Sequence, residues 1–424
     1  MQKIVIEGGR SLQGEVTLGG AKNSALPALF ATLLSESPCH FSNIPDLKDI
    51  DTTLRLLNSL GVRTQKSRRK GSLLELDAQR VHCFEAPYDL VKTMRASVLV
   101  MGPLLARFHQ AKVSLPGGCA IGARPINLHL KAFEQMGAKI EMEGGYVIIK
   151  SKKLHGARIC FEGVTVTGTE NVLMAAVLAK GETVIENAAR EPEVSDLAHL
   201  LIKMGAKIEG VGTETLTIEG VSSLGGCDHT IIPDRIEMGT FMMAVAMTGG
   251  NVVIKNGDLA LLEALSLKLK EIGVDIESTP DGVVVKSAGS KTLQSADIVT
   301  APYPGFATDF QAQFMAMMTV AQGTSLISEN IFENRFMHAL ELIRMGADIK
   351  IEGKVAVVKG VKKISGAPVM ASDLRASAAL ILAGLAADGI TEVHRIYHLD
   401  RGYEKIEKKF RALGARIKRV KVRY

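Results

Sequence analysis

Met204-Gly205-Ala206-Lys207-Ile208 decides the fold, because its pattern returns five more times along the chain. The other copies read Leu60-Gly61-Val62-Arg63, Met136-Gly137-Ala138-Lys139-Ile140, Ile272-Gly273-Val274-Asp275-Ile276, Met345-Gly346-Ala347-Asp348-Ile349 and Leu413-Gly414-Ala415-Arg416-Ile417. Their glycines stand 76, 68, 68, 73 and 68 residues apart, so six units of roughly 70 residues fill the 424-residue chain. Solenoid repeats are shorter, about 20–50 residues, and need atypical capping units. Units of this length are sub-domains that share a core.

Each unit has the same internal order. An apolar helical stretch ends at a turn, as at Ala176-Val177-Leu178-Ala179-Lys180-Gly181, and a β-branched run such as Thr183-Val184-Ile185 follows. Next comes an amphipathic helix, with Leu197, Leu200, Leu201 and Met204 on one face. The repeated glycine then falls where a left-handed residue ends a helix. Two strands close the unit, Ala206–Glu209 and Thr215–Ile218, joined by a Gly-containing turn. The pattern is α/β, of βαβαββ type. Six such units divide into two domains of three, cut near Pro233. The opening strand Ile4-Val5-Ile6 has no unit before it and is expected to pair with the last one. The expected domains are 21–232, and 1–20 with 233–424.

Composition narrows the function. With 46% apolar residues the chain can bury sizeable cores, and no apolar run is long enough to span a membrane. Aromatics are only 4% and Trp is absent, which disfavours a base-stacking nucleic-acid binder. The net charge of +6 is local: residues 405–424 carry nine Lys/Arg against one Glu, leaving −2 for the rest. A solvated helix face and an edge strand explain that tail better than a nucleic-acid arm. Five cysteines, Cys39, Cys83, Cys119, Cys160 and Cys227, form no CxxC pair. An odd count with no secretion signal points to reduced thiols in a cytoplasm. Cys39 and Cys160 read as small core residues. His394 and His398 stand four apart but lack a third ligand in sequence, so no metal is expected.

The first helix of each unit opens with polar groups, and cations stand among them, Lys22, Arg95 and Arg375 in particular. A cation at a helix N-terminus opposes the dipole, so capping does not explain it. An anion-binding cleft between two facing domains does. Asp309 holds the equivalent position in its unit. It reads either as a helix cap or as a carboxylate kept ionised by cationic neighbours. Arg335 and Arg401 stand at loop-to-helix junctions, where a guanidinium suits phosphate or carboxylate. Pro116-Gly117-Gly118-Cys119-Ala120-Ile121-Gly122-Ala123-Arg124-Pro125 puts a thiol near an Arg and just before a helix expected over Asn127–Met136. Both neighbours lower a thiol pKa. Gly19-Gly20-Ala21-Lys22-Asn23 is not a P-loop, and no strand is followed by GxGxxG, so nucleotide hydrolysis and nicotinamide chemistry lack support.

Six segments together closely resemble the bacterial UDP-N-acetylglucosamine enolpyruvyl transferases, essentially end to end. They are Gly20–Ser24, Gly117–Pro125, Glu186–Glu193, Phe332–His338, Asp373–Ser377 and Asp400–Glu404. The resemblance implies two inverted, inside-out α/β barrel domains, each of three βαβαββ repeats around buried helices. The implied reaction moves the enolpyruvyl group of phosphoenolpyruvate to the 3′-hydroxyl of UDP-N-acetylglucosamine, by addition and elimination through a tetrahedral ketal. It releases phosphate, commits the sugar to peptidoglycan and needs no cofactor. By the resemblance, Lys22, Arg124 and Arg401 hold phosphoenolpyruvate, and Arg95, Arg335 and Arg375 complete the anion cage. Cys119 is the loop thiol of proton delivery or product release, and the target of fosfomycin. Asp309 takes the sugar hydroxyl proton, and Asn23 helps to hold the intermediate. Arg124, Pro125, Ile126, Asn127, Leu128 and His129 form the uridine strip, with Thr165, Val166 and Ile331 adding contacts. Two positions depart from the pattern: Asn127 replaces a frequent Asp, and Gly163 replaces an occasional Lys. The rival in the same fold is a 5-enolpyruvylshikimate-3-phosphate synthase, which the cysteine loop and uridine strip argue against.

Overall fold

The computed structural model describes residues 2–67, 73–115 and 126–421. Its strands form six four-stranded sheets of one topology. In each, two parallel strands occupy one side and an antiparallel pair the other. The third repeat shows the order directly: Arg158–Cys160, Glu182–Glu186, Thr215–Glu219, then Lys207–Glu209 at the edge.

Three sheets take a strand from far away in sequence. Gln2–Glu7 inserts between Ile390–His394 and Arg416–Lys421 of the last repeat, antiparallel to both. That is the pairing expected for the opening strand. The sheet of the first repeat takes its parallel edge strand from Asp228–Thr230, which pairs with Cys39–Ser42. The sheet of the fourth repeat takes Leu12–Thr17, paired with Gly250–Lys255. The repeat phrase gives no sign of these two exchanges: Asp228–Thr230 is too short to show a period, and Leu12–Thr17 does not alternate, with only Leu12 and Val16 buried.

The chain packs as two compact units. One comprises residues 20–115 and 126–232; the other comprises residues 2–19 and 233–421. Each has its own continuous apolar core and three of the six sheets. In the first, helices Lys22–Ala31, Met101–Phe108 and Val166–Ala176 run through the centre. In the second, Arg235–Thr248, Gln311–Met318 and Leu374–Ala386 do so. These central helices are buried on nearly every face, which is why they read as apolar all round rather than amphipathic. The second helix of each repeat is amphipathic, as in Lys48–Leu60 and Pro192–Lys203.

The six repeated glycines have one backbone role. Gly61, Gly137, Gly205, Gly273, Gly346 and Gly414 all take positive φ, between 92° and 108°. In each case the next residue's N–H reaches back five residues, as from Ala206 to the Leu201 carbonyl and from Ala415 to that of Phe410. This is the double-bonded helix end that a left-handed residue permits, and a side chain there would be strained. The repeat phrase is therefore a helix-stop signal used six times.

Part of the basic C-terminal stretch is paired with acidic residues. Arg419 pairs with Asp400 at 2.7 Å and Glu407 at 3.1 Å, and Lys409 with Glu237 at 2.6 Å. Cys39 is buried, as expected, but Cys160 is exposed. In its short strand Ile159 points inward, and alternation turns Cys160 out. No helix of the described residues is long and apolar enough to cross a membrane.

Candidate active site

In the unit containing residues 233–421, Asp309 is the centre. It lies in the short helical turn Thr308–Phe310, at the head of the central helix Gln311–Met318. Its carboxylate caps nothing; Ala307 holds the N-cap position. Instead Oδ1 accepts from Arg335 Nη2 at 2.8 Å and Oδ2 from Arg375 Nη2 at 2.6 Å. Both arginines are deeply buried, 6% and 4% exposed, while a quarter of the Asp309 side chain stays open. Burial pulls the carboxyl upward, but Arg375 and Arg335 overcome it and hold Asp309 well below the usual carboxylate range. The ionised reading of Asp309 thus has its physical cause.

Each arginine is built in by a different device. Arg375 is the second residue of helix Leu374–Ala386, whose cap is Asp373; its Oδ1 accepts from the Arg375 and Ala376 N–H groups at 2.8 and 3.1 Å. Arg335 comes from the segment after strand Thr324–Ser328, organised by buried Glu329. Glu329 Oε1 accepts from the Ile331 and Phe332 N–H groups at 2.8 and 3.1 Å and from Thr300 Oγ1 at 3.0 Å. Its Oε2 accepts from Thr308 Oγ1 at 2.8 Å, and Thr308 in turn accepts from Arg335 Nη1 at 3.3 Å. The Arg335 guanidinium also lies 5.0 Å from the Phe332 ring centre. Ile331 therefore sits on the same loop as Arg335, fixed by the same carboxylate. Arg401 ends the turn Leu399–Arg401, two residues before buried Tyr403.

In the unit containing residues 20–232, Lys22 opens the central helix Lys22–Ala31 and Nζ lies 3.3 Å from Asp49 Oδ2. Asp49 is buried in the first turn of helix Lys48–Leu60. Asn23 is exposed beside Lys22. Ser24, one residue on and buried, donates its hydroxyl to Asp196, which also pairs with His229 at 3.0 Å. The start of this helix is thus tied to two other elements.

Arg95 begins the turn of helix Arg95–Val100 and is half-buried. It bears on His129, which is buried on helix Asn127–Gln135. Burial first, and Arg95 second, lower the His129 imidazole to about 3, so it is neutral at pH 7. Asn171 fixes it, donating from Nδ2 to His129 Nδ1 at 2.9 Å while its Oδ1 accepts from the Gly102 N–H at 2.8 Å. A neutral imidazole that accepts at Nδ1 carries its proton on Nε2, which faces Thr167 Oγ1 at 3.4 Å. Ile126 is buried, Leu128 half-buried and Asn127 exposed on that helix. Thr165 caps helix Val166–Ala176, accepting from the Gly168 N–H at 3.2 Å, with Val166 half-buried after it. Glu170, fully enclosed in the same helix, has its carboxyl pushed well up by burial and by Glu193 and Glu191. Cys119, Arg124 and Pro125 lie outside the described residues.

Several of these groups escape a reading of sequence alone. Asp49, Asp196, Asn171, Glu329, Thr240 and Gln313 are buried polar residues that hold the cations or their helices in place. Their signal is modest but real: Thr240 and Gln313, both hydrogen-bonded to the Tyr403 hydroxyl beside Arg375, are polar residues within largely apolar central helices.

A model of the EPSP synthase family (3-phosphoshikimate 1-carboxyvinyltransferase) matches residues 6–410. A protein of Geotalea daltonii named UDP-N-acetylglucosamine 1-carboxyvinyltransferase is 59% identical over 420 residues, covering 99% of this chain and all of that one. The chain belongs to the UDP-N-acetylglucosamine 1-carboxyvinyltransferase family. A relative of the same name from Nitratidesulfovibrio vulgaris is 57% identical over 419 residues, 99% of each chain. Among solved structures, the enolpyruvyl transferase NikO from Streptomyces tendae superposes with a TM-score of 0.88 at 25% identity, over 99% of both chains. EPSP synthase from Acinetobacter baumannii superposes at 0.75 with 19% identity, covering 99% of this chain and all of that one, which establishes the shared fold. Members of this family thus build one enolpyruvyl transferase fold, with sheets outside and helices within.

Proposed function

We infer that this chain transfers the enolpyruvyl group of phosphoenolpyruvate to the 3′-hydroxyl of UDP-N-acetylglucosamine and releases phosphate. The observation that carries this is Asp309 gripped by Arg335 and Arg375, within a chain 59% identical over its full length to relatives named for that activity. The product is the sugar committed to peptidoglycan, and the reading is of a cytoplasmic enzyme.

The chemistry needs an acid, a base and a positive field. The sugar oxygen attacks C2 of the enolpyruvyl donor as a proton is added at C3, giving a tetrahedral ketal. Loss of a C3 proton and cleavage of the C2–O bond to phosphate then restore the double bond. In this reading Asp309 receives the hydroxyl proton. In the substrate-free state its pKa is too low for an effective base, because two guanidinium groups stabilise the charge. An anionic donor that draws on Arg335 and Arg375 shares that stabilisation and raises Asp309 toward the range where it accepts a proton.

Lys22, Arg124 and Arg401 are assigned to the donor, with Arg95, Arg335 and Arg375 completing the cation set. Cys119 supplies or relays the C3 proton. Asn23 holds the intermediate. The uridine strip is residues 124–129, with Thr165, Val166 and Ile331. His129, buried and neutral, serves the strip by position rather than by charge.

The test is phosphate release on mixing phosphoenolpyruvate with UDP-N-acetylglucosamine, with shikimate 3-phosphate as the alternative acceptor. Release with the sugar nucleotide alone supports the reading. Release with shikimate 3-phosphate alone makes this a 3-phosphoshikimate 1-carboxyvinyltransferase.

A further inference from the structure

We propose that Tyr403 is a positioning residue for enolpyruvyl transfer, fixing the plane of the Arg375 guanidinium so that Arg375 meets Asp309 end-on. The proposal rests on the reading of Asp309 and Arg375 above and extends it to groups that touch neither substrate.

With the Gln313 amide nitrogen turned toward Tyr403, the hydrogen bonds around the phenol run in one direction. Tyr403 Oη is fully enclosed and stands 2.9 Å from Thr240 Oγ1, 3.2 Å from Gln313 Nε2 and 3.3 Å from Arg375 Nη1. Thr240 has already given its proton to the Ile236 carbonyl, at 2.7 Å. The phenol O–H must therefore donate to Thr240. Arg375 and Gln313 carry only N–H groups on these contacts, so Tyr403 accepts from both. One donor and two lone pairs are all that a phenol has, and all three are used.

This arrangement acts on Arg375. A guanidinium held by Nη2 alone swings about that bond. Arg375 is held at Nη2 by Asp309 and at Nη1 by Tyr403, so its plane is set. The Tyr403 ring lies 5.6 Å from the guanidinium carbon and adds a second, face-on restraint. Thr240 and Gln313 come from the two neighbouring central helices, Arg235–Thr248 and Gln311–Met318, so one hydroxyl locks Arg375 to both. Gln313 follows Asp309 by one helical turn, which ties base and guanidinium to the same network.

Tyr403→Phe keeps the ring and removes only the hydroxyl. Turnover should fall about tenfold, the loss of one hydrogen bond to a charged group, while KM for the sugar nucleotide stays within about twofold. Thr240→Val should lower turnover in the same direction, Thr240→Ser should restore it, and Tyr403→Phe with Thr240→Val should be no worse than Tyr403→Phe alone. Wild-type turnover in Tyr403→Phe, with only the melting temperature lowered, would make Tyr403 a packing residue and overturn the proposal. So would losses that multiply in the double variant. If Tyr403→Phe does not fold, the Thr240→Val and Thr240→Ser pair decides on the same criterion. A wild-type protein that releases no phosphate would instead remove the functional reading itself, and the two failures are told apart by that control.

Discussion

Arg375 Nη2 stands 2.6 Å from Asp309 Oδ2, and this one contact joins the heads of two central helices that are 66 residues apart in sequence. Arg335 takes the other carboxylate oxygen at 2.8 Å. Two cations on one carboxylate leave a net positive centre, suited to an anion.

Removing that carboxylate's charge should separate chemistry from binding. Asp309→Asn is expected to lower turnover by about 10²–10⁴-fold, the usual cost of losing a general base. UDP-N-acetylglucosamine binding should stay within about tenfold. Steady-state kinetics beside calorimetric binding measures both. Near-wild-type turnover would leave Asp309 as an anchor for two arginines and nothing more.

The stability of the protein should depend on pH through His129. Its folded pKa, about 3, lies below the unfolded value of about 6.5. A depressed folded pKa means stability that is fully present above pH 6.5 and lost as pH falls toward 3. The slope is about 1.4 kcal/mol per pH unit within that window. Asp309 is also depressed, but its unfolded value is near 3.9, so it changes little above pH 5. Glu170 runs the other way: its raised folded pKa gives stability present below its unfolded value and lost as pH rises. The signed slope of urea-unfolding stability against pH, measured between pH 5 and 6, should therefore be smaller by about one proton in His129→Gln than in wild type, with the Glu170 contribution common to both. Equal slopes would mean that His129 is charged in the native state.

How far the sequence discloses all this depends on the kind of interaction. The helix stops are fully legible, because only a left-handed residue ends all six helices and the glycines recur at near-constant spacing. The clustered cations are legible too, because Lys22 and Arg375 at helix starts defy the dipole. The supporting carboxylates are not. Asp49, Asp196 and Glu329 act across tens or hundreds of residues, and nothing in their neighbourhoods marks them as partners of Lys22, Ser24 or Thr308. The exchanges of Asp228–Thr230 and Leu12–Thr17 are equally silent, since the first carries too few residues to show a period and the second does not alternate.

Asp49 offers a test of that hidden layer. Asp49→Asn keeps the shape but removes the charge that holds Lys22 Nζ at 3.3 Å. The catalytic efficiency for phosphoenolpyruvate should fall by about three- to tenfold, an ordinary effect for a buried charged contact. An unchanged value would show that Lys22 is positioned by other groups.

The thiols should sort by chemistry rather than by exposure. Cys39 is buried, Cys83 and Cys227 are half-buried, and Cys160 is exposed. Cys119, with the lowered thiol pKa expected of its loop, should be the fastest to react with a small electrophile, although exposure alone favours Cys160. Fosfomycin, whose phosphonate mimics an anionic donor, should label Cys119 as well, and faster with UDP-N-acetylglucosamine present. Cys119→Asp should stay active and resist labelling, because a carboxylate is a weak nucleophile toward an epoxide. Mass mapping of the labelled peptides reads the outcome, and label on Cys160 alone would remove Cys119 from the site.

The central claim is that the C–O bond of the donor breaks, rather than its P–O bond, and oxygen labelling tests this most directly. Phosphoenolpyruvate carrying ¹⁸O in the bridging position is incubated with UDP-N-acetylglucosamine and enzyme, and both products are weighed by mass spectrometry. Addition and elimination at C2 predict that the label leaves entirely with the phosphate, while the sugar nucleotide gains an unlabelled enolpyruvyl ether. Label retained on the three-carbon fragment, with a phosphorylated sugar or free pyruvate as product, would contradict it.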